Sequence, residues 1–230
     1  MSILLVLVFA ISLAMWSLSR NNSGLKTTKR TFATADGKDY TIYEIENVLT
    51  PKQCALIRDA AEPFLERSSV TADEGTISDV RTSYGTFLKT KDGDEELVEA
   101  MTRVDTLAAF LSGKPVTHQE DMQVVRYEPD QFYKCHYDEC DEDSNACKRS
   151  HERGFRHSTL LVYLNDVDQG GYTEFPKLGY QVKPKLGSVV FFRNLENDEK
   201  TVHELSLHGG VAPVGGVKWA CNKWIRTEIQ

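Results

Sequence analysis

Positive charge is the scarcer sign in this 230-residue chain: 27 Lys and Arg stand against 34 Asp and Glu, a formal net charge of −7. Such a chain has no basic face to displace counterions from a phosphate backbone, so nucleic acid is excluded as a general partner. Cysteine is sparse as well. The five residues Cys54, Cys135, Cys140, Cys147 and Cys221 are odd in number and too few to form a disulfide framework in a chain of this length. Cys140 and Cys147 could pair within one loop, whereas Cys54 and Cys221 lie in apolar settings that suit buried thiols. Internal repeats and low-complexity tracts are lacking, which excludes solenoids and leaves one core of catalytic size.

Long hydrophobic runs are confined to the first 20 residues. Ile3 to Leu18 is apolar apart from Ser12 and Ser17, long for a signal-peptide core and short for a bilayer span. Residues 1–20 are therefore expected to be a signal peptide or a membrane anchor. Arg20, Lys26, Lys29 and Arg30 follow the run, and positive-inside counting would keep the domain cytoplasmic. The sequon Asn21-Asn22-Ser23 fits the opposite orientation, a lumenal domain at an endoplasmic reticulum or secretory-pathway membrane, which is the expectation adopted. Residues 21–38 are polar and read as a linker, leaving 39–230 as one folded domain.

Helical signals occupy its first half. Thr50-Pro51-Lys52-Gln53 combines an N-cap threonine, a proline at the first helical position and a glutamine at the third, and the apolar stripe Cys54, Ile57, Ala61, Phe64 and Leu65 follows. A second helix is predicted from about Glu95 to Leu111, with Gly113 and Pro115 beyond its end. From Val116 the pattern changes to short apolar runs bounded by turn residues: Gln123 to Tyr127, Phe132 to Tyr137, Ser158 to Leu164, Gly171 to Phe175, Tyr180 to Val182, Ser188 to Phe192 and Val202 to Leu207. Helices followed by an all-β core predict a double-stranded β-helix, the cupin-like jelly roll, with N-terminal helices packed on one sheet.

Within that core, His136 and Asp138 are two residues apart, so a strand projects both from one face towards one ion. With a distant His208 they would make a set of two imidazoles and one carboxylate, which leaves coordination positions open for substrate and oxygen. Other readings of the neighbouring residues remain. Cys140, Cys147 and His151 with Cys135 or His136 could form a small zinc site, although the spacing matches no common zinc module. His203, His157, His151 and His118 compete for the third position; His203 would face away from His208 on a regular strand, and His157 lies too near His136 to reach a far sheet.

Four ordered segments settle on one resemblance: Arg126-Tyr127 to Asp138, Gly170-Gly171-Tyr172-Thr173-Glu174-Phe175-Pro176, Pro184 to Phe192, and His208 to Arg226. Together, over about residues 40 to 230, they resemble the catalytic domain of collagen-type prolyl 4-hydroxylases, the 2-oxoglutarate and Fe(II)-dependent dioxygenases, and among these the short enzymes of algae, plants and algal viruses. The resemblance implies that His136, Asp138 and His208 bind Fe(II) and that Lys218 pairs the distal carboxylate of 2-oxoglutarate, with Tyr127 and Thr173 donating to the same group. It also implies that Arg81, Ser83, Tyr133, Arg156 and Trp224 meet a proline-rich or collagen-like peptide, and that O2 and ascorbate are consumed by a monomeric catalytic domain. Aromatic walls suit such a peptide, whose polyproline II backbone is extended and stiff.

The chain departs from the family's usual residues at Asp130, Cys135 and Tyr172. Strict alternation would also turn Tyr133 away from the face of His136, so a bend or bulge is required near Pro129-Asp130. The rival readings are an oxygenase of the same class acting on another protein residue, and a non-catalytic metal-containing binding module.

Overall fold

Strand alternation in the second half of the chain gives one sheet two buried faces, and a separate hydrophobic cluster covers each of them. The computed structural model describes residues 24–33, 39–68, 79–91, 93–140 and 145–230. The expected signal peptide or anchor at 1–20 and the sequon at 21–23 lie outside the described residues. Among the described residues no helix is long and apolar enough to cross a membrane.

In chain order the strands are β1 (Lys26–Ala33), β2 (Asp39–Glu46), β3 (Glu66–Arg67), β4 (Tyr84–Leu88), β5 (Met122–Tyr127), β6 (Tyr133–His136), β7 (Arg156–Tyr163), β8 (Gln169–Gly170), β9 (Thr173–Phe175), β10 (Tyr180–Val182), β11 (Val189–Arg193), β12 (His208–Gly210), β13 (Pro213–Val214) and β14 (Lys218–Arg226). Among the described residues three α-helices, α1 (Pro51–Ala61), α2 (Glu95–Ser112) and α3 (Asn145–His151), interrupt them. The large sheet runs β1-β2-β11-β7-β14-β5-β4-β3, a smaller one runs β10-β9-β12-β6, and β13 pairs β8. All these pairings are antiparallel. The two larger sheets face each other as a jelly roll, as the order of helices and strands predicts.

The outer face of the large sheet is closed by α1 and α2. Cys54, Ile57 and Ala61 of α1 and Leu97, Met101 and Val104 of α2 pack on Val124, Leu160, Val162, Phe191, Cys221 and Ile225. Each large aliphatic side chain buried this way contributes about 1.5–3 kcal/mol. The capping box at Thr50 forms in both directions, the Thr50 side chain accepting from the Gln53 amide and the Gln53 side chain accepting from the Thr50 amide. Asp94 caps α2 by accepting from the Leu97 amide, and Gly113 ends it in the left-handed conformation at φ 71°. The inner face packs Ile42, Val125, Leu161, Tyr163, Val190 and Phe192 against Phe175 and Val182 of the smaller sheet.

Four expectations need correction. Residues 21–38 are not simply a linker: Lys26–Ala33 forms β1, which pairs along its whole length with β2. Its side chains are mostly exposed, so no buried face marks it as a strand in the sequence. The run Val202 to Leu207 is no strand: Val202 makes an isolated bridge to Leu195, Glu204–Ser206 forms a short 3-10 turn, and the strand begins at His208. Phe64 is 66% exposed, since the chain tightens into a 3-10 turn at Glu62–Phe64 around Pro63 and swings its ring off the α1 stripe. Finally, β14 and β4, absent from the sequence reading as strands, form the middle of the large sheet and its cavity-side flank.

Candidate active site

Pairing of β12 with β6 places His208 directly opposite His136, and Asp138 follows two residues beyond the strand. One carboxylate oxygen of Asp138 lies 3.5 Å from His136 Nε2 and the other 3.6 Å from His208 Nε2. Three potential ligand atoms thus lie within 4.8 Å of one another. The imidazoles are oriented for the task. His136 Nδ1 sits 2.8 Å from the Lys134 carbonyl and His208 Nδ1 2.9 Å from the Ser206 carbonyl, so each Nδ1–H donates to backbone and each Nε2 keeps its lone pair.

Asp138 is fixed in turn by the Thr159 hydroxyl, which donates to it at 2.5 Å and receives a hydrogen bond from Asn194 Nδ2 at 2.9 Å. Burial by itself would push the Asp138 carboxyl up, but His208 and His136 outweigh it and hold the group well below the usual carboxylate range. Burial drives His208 the other way, down to about 4, so its ring is neutral at ordinary pH. A neutral His208 and an ionised Asp138 are the protonation states a divalent ion requires of these two groups.

The bulge demanded for Tyr133 is present but lies inside β6. His136 pairs His208 while Tyr133 pairs Gly210, so β6 carries one extra residue over that interval. Tyr133 is thereby brought onto the His136 side and stacks on its ring, with centroids 3.5 Å apart. Asp130 adopts φ 68°, the left-handed conformation that glycine, asparagine and aspartate tolerate best, so it can stand where the family commonly has glycine.

The triad opens into a cavity of about 870 Å³ between the two sheets. Lys218, at the start of β14 opposite Tyr127 of β5, is 3% exposed and reaches into this space. Its amine lies 5.5 Å from the Tyr127 ring and 5.6 Å from the Tyr163 ring, with no carboxylate paired to it among the described residues. Burial lowers its pKa to about 7. A buried cation without a counter-ion in a cavity shared with three metal-ligand side chains fits a metal-chelating diacid. Thr173 also lines the cavity and accepts a hydrogen bond from the Tyr163 hydroxyl at 2.8 Å, which leaves the Thr173 hydroxyl proton free for a ligand oxygen. Gly170 and Gly171 precede it at φ 68° and 67°; a Cβ on Gly170 would lie 2.3 Å from the Ala212 carbonyl oxygen. The two glycines therefore serve the turn that delivers Thr173.

The expected peptide-contacting residues divide. Arg81, Tyr133, Arg156 and Trp224 line the cavity. Arg81 stands 4.8 Å from the Tyr133 ring centroid, and Arg156 lies 3.7 Å over Trp224. Ser83 does not line it. It is fully buried, donates to Ser68 Oγ at 3.0 Å and accepts from Arg81 Nε at 3.2 Å, so it supports Arg81 from behind. The zinc reading also falls, because Cys140 and Cys147 form a disulfide. His151 instead sits 3.1 Å from Glu139, and Cys135 donates to Glu174. His203 is a buried structural histidine whose Nδ1 accepts from the Leu205 amide.

Several site residues escaped the sequence. Glu120 holds Arg156 through both carboxylate oxygens, at 2.7 and 3.0 Å, and Arg226 at 2.7 Å; against the effect of burial, the two guanidiniums lower its pKa to about 2. Arg156 in turn donates to the Asp138 carbonyl at 3.2 Å, so this ion network supports the segment bearing the triad's carboxylate. Thr159 and Tyr163 were discoverable: they alternate with Leu161 on one face of β7, and polar members of such a run are the exceptions that mark a cavity.

Residues 122–226 match the family described as the 2OG-Fe(II) oxygenase superfamily. Fold, triad and match together define the chain as a 2-oxoglutarate and Fe(II)-dependent oxygenase, with O2 and ascorbate the co-reactants typical of the class. It is 35% identical over 204 residues to probable prolyl 4-hydroxylase 10 of Arabidopsis thaliana, covering 79% of this chain and 67% of the relative. To a putative prolyl 4-hydroxylase of Acanthamoeba polyphaga mimivirus it is 34% identical over 186 residues, 80% of this chain and 73% of the other. The viral collagen prolyl hydroxylase of Paramecium Bursaria Chlorella virus-1, solved with 2OG, superposes with a TM-score of 0.62 at 30% identity, over 84% of this chain and 99% of that one. The chain belongs to the prolyl 4-hydroxylase family.

Proposed function

We propose that this enzyme hydroxylates peptidyl proline at C4 in proline-rich or collagen-like sequences and releases succinate and carbon dioxide. The observation that carries the reading is the convergence on one cavity of the His136, Asp138 and His208 cluster, the unpaired Lys218 amine and the Tyr133 and Trp224 rings. His136 Nε2, His208 Nε2 and the Asp138 carboxylate would hold Fe(II), which with 2-oxoglutarate supplies the oxygen-activating chemistry that no side chain can.

The protein's own part is positioning. Lys218 pairs the distal carboxylate of the co-substrate and the Thr173 and Tyr127 hydroxyls donate to it, which selects a five-carbon diacid and fixes the keto acid end towards the triad. Tyr133, stacked on His136, and Trp224, held by Arg156, present two flat walls to the proline ring beside the metal ligands.

The test is mass spectrometry and succinate release over a peptide panel of proline-rich repeats, Gly-X-Y repeats and folded protein targets. Hydroxyproline on the repeats is expected; hydroxylation confined to lysine or asparagine overturns the substrate assignment. Anaerobic titration with Fe(II) and 2-oxoglutarate should give a metal-to-ligand absorption band that His136→Ala removes. A band that survived that substitution would count against the triad.

For the address, we retain the lumenal, membrane-associated reading of residues 1–20. The Cys140–Cys147 disulfide supports it, since such bonds persist in oxidising compartments. Modification of Asn21 in cells is the check; an unmodified, protease-accessible domain on the cytoplasmic side reverses the orientation.

A further inference from the structure

Two large apolar side chains among the described residues are both solvent-exposed and part of the cavity wall: Val80, 37% exposed, and Phe87, 53% exposed. The triad has no use for either. Phe87 projects from β4 on the same face of the large sheet as Thr159 and three strands away from it, and an exposed aromatic in a cavity wall is the kind of surface that marks a contact with a partner. Sheet register says where it sits relative to the reaction. Trp224 of β14 pairs Thr159 of β7, the residue that holds Asp138, so Trp224 stands one strand from the column under the triad. Two residues along β14, Asn222 pairs Gln123 of β5, and Gln123 pairs Phe87 of β4.

Trp224 and Phe87 are therefore two strand spacings apart across the sheet, about 10 Å, and one same-face step apart along it, about 7 Å. The diagonal is about 12 Å. A polyproline II chain repeats every three residues, advancing about 9 Å per turn and bringing the third residue back to the same wall. The reach of two aromatic side chains closes the difference. Between them, Gln123 accepts from Arg81 at 3.0 Å and from Asn222 at 3.1 Å, a fixed polar strip under the intervening residues of a peptide whose backbone is not engaged in hydrogen bonds of its own.

From this geometry we infer that Phe87, flanked by Val80, forms a second apolar subsite that receives the substrate residue three positions from the proline being hydroxylated, and that it makes the enzyme prefer proline there. The inference rests on the peptidyl-proline reading above and deepens it: the target is a repeat with period three along the polyproline II helix, read at two points.

The test is a set of peptides of one length carrying a single reactive proline, with proline or serine placed one, two or three positions away on either side. The wild-type enzyme should favour proline at position three, on one side, by about tenfold in kcat/KM, the worth of a half-buried aromatic contact. In Phe87→Ala that preference should collapse to within about twofold. Phe87→Leu should keep part of it, and Phe110→Ala, at an exposed aromatic on α2 outside the cavity, should keep all of it. A wild-type enzyme indifferent to position three, or a preference that Phe87→Ala leaves intact, overturns the subsite. If no peptide in the set is hydroxylated by the wild-type enzyme while 2-oxoglutarate is turned over with another target, the proline reading itself has failed, and that outcome is distinct from either of these.

Discussion

The large sheet has one face turned to helices and the other to the triad, and the two follow opposite rules. On the helix side, Val124, Leu160, Val162, Cys221 and Ile225 share one apolar cluster, interrupted by a buried ion pair, Lys223 with Asp105 at 2.8 Å. On the cavity side the same strands present Gln123, Thr159, Tyr127, Lys218 and Asn222. Because alternate residues of one strand serve both faces, folding and chemistry are encoded in the same nine residues of β14, one parity each. The apolar face supplies the stability with which the other keeps a buried amine and a buried carboxylate; each carries a desolvation cost that only a ligand or a polar neighbour can offset.

Substitutions that respect the two faces should separate activity from stability. The largest effect is expected from Asp138→Ala: kcat/KM should fall more than about a thousandfold, roughly 4 kcal/mol of transition-state stabilisation, while the metal-free protein loses only about 1–3 kcal/mol of stability with the carboxylate's hydrogen bond and histidine contacts. Succinate release and calorimetry on one sample give both numbers, and an active Asp138→Ala enzyme would remove the triad from the mechanism. Leu160→Ala is the mirror image. It should cost about 2–5 kcal/mol of stability by opening a cavity under α1 and α2 while the folded fraction keeps its kcat within about a factor of two, measured by denaturant unfolding beside the activity assay. A large loss of kcat there would mean that the faces are coupled, and the comparison would break.

Lys218 sharpens the contrast because it belongs to the chemical face alone. Lys218→Ala should raise the KM for 2-oxoglutarate by about a hundredfold through loss of a charge-assisted contact, with a smaller change in kcat. The amine's pKa is about 7 instead of the ordinary 10.5, driven down by burial. Only the ammonium pairs a carboxylate, so KM for 2-oxoglutarate should be flat below pH 7 and climb by up to about tenfold per unit above it. In Lys218→Arg, which stays charged, the profile should lie flat. Linkage gives an independent reading. Between pH 7 and 10.5 the unfolded chain binds a proton that the ligand-free native state does not, so this group makes native stability rise with pH across that window and changes nothing below it. An urea midpoint that fell with pH in wild type relative to Lys218→Met would contradict the assignment.

Legibility in the sequence followed the same division. The helices announced themselves through local chemistry, Thr50 and Gln53 for α1 and Gly113 for the end of α2, because caps need nothing from the rest of the chain. His136, Asp138 and His208 could be named because ligand chemistry restricts the residue types and because the flanking motifs fixed which histidine mattered. What stayed hidden depends on pairing. β1 has no buried face, and β14 has almost no exposed one, so neither shows the period-two pattern by which a half-buried strand is read. Ser83 is expected at the peptide because the stretch Arg81 to Gly85 resembles a family loop, whereas its side chain is fully buried and bonded to Ser68 and Arg81, a tertiary placement that no local pattern announces. Glu120 lies far in sequence from both Arg156 and Arg226, and no local signal joins them.

The smallest effect expected is at the point where the two faces are nearest. Thr159 sits between Ser158 and Leu160 of β7, its neighbours packed among other side chains, while its own hydroxyl reaches Asp138 and Asn194. Thr159→Val keeps the volume and the strand preference but removes that hydroxyl, so Asp138 loses a donor and Asn194 Nδ2 an acceptor. Fe(II) retention, followed by chelator competition, should weaken by about tenfold, in the range that residues orienting metal ligands show. Stability should fall by only about 1 kcal/mol, because the change is confined to one hydrogen-bonded group in an otherwise filled site. If instead unfolding shifted by several kcal/mol and metal affinity held, Thr159 would belong to the packing of the sheet, and the boundary between its two faces would have to be redrawn one residue deeper into the cavity.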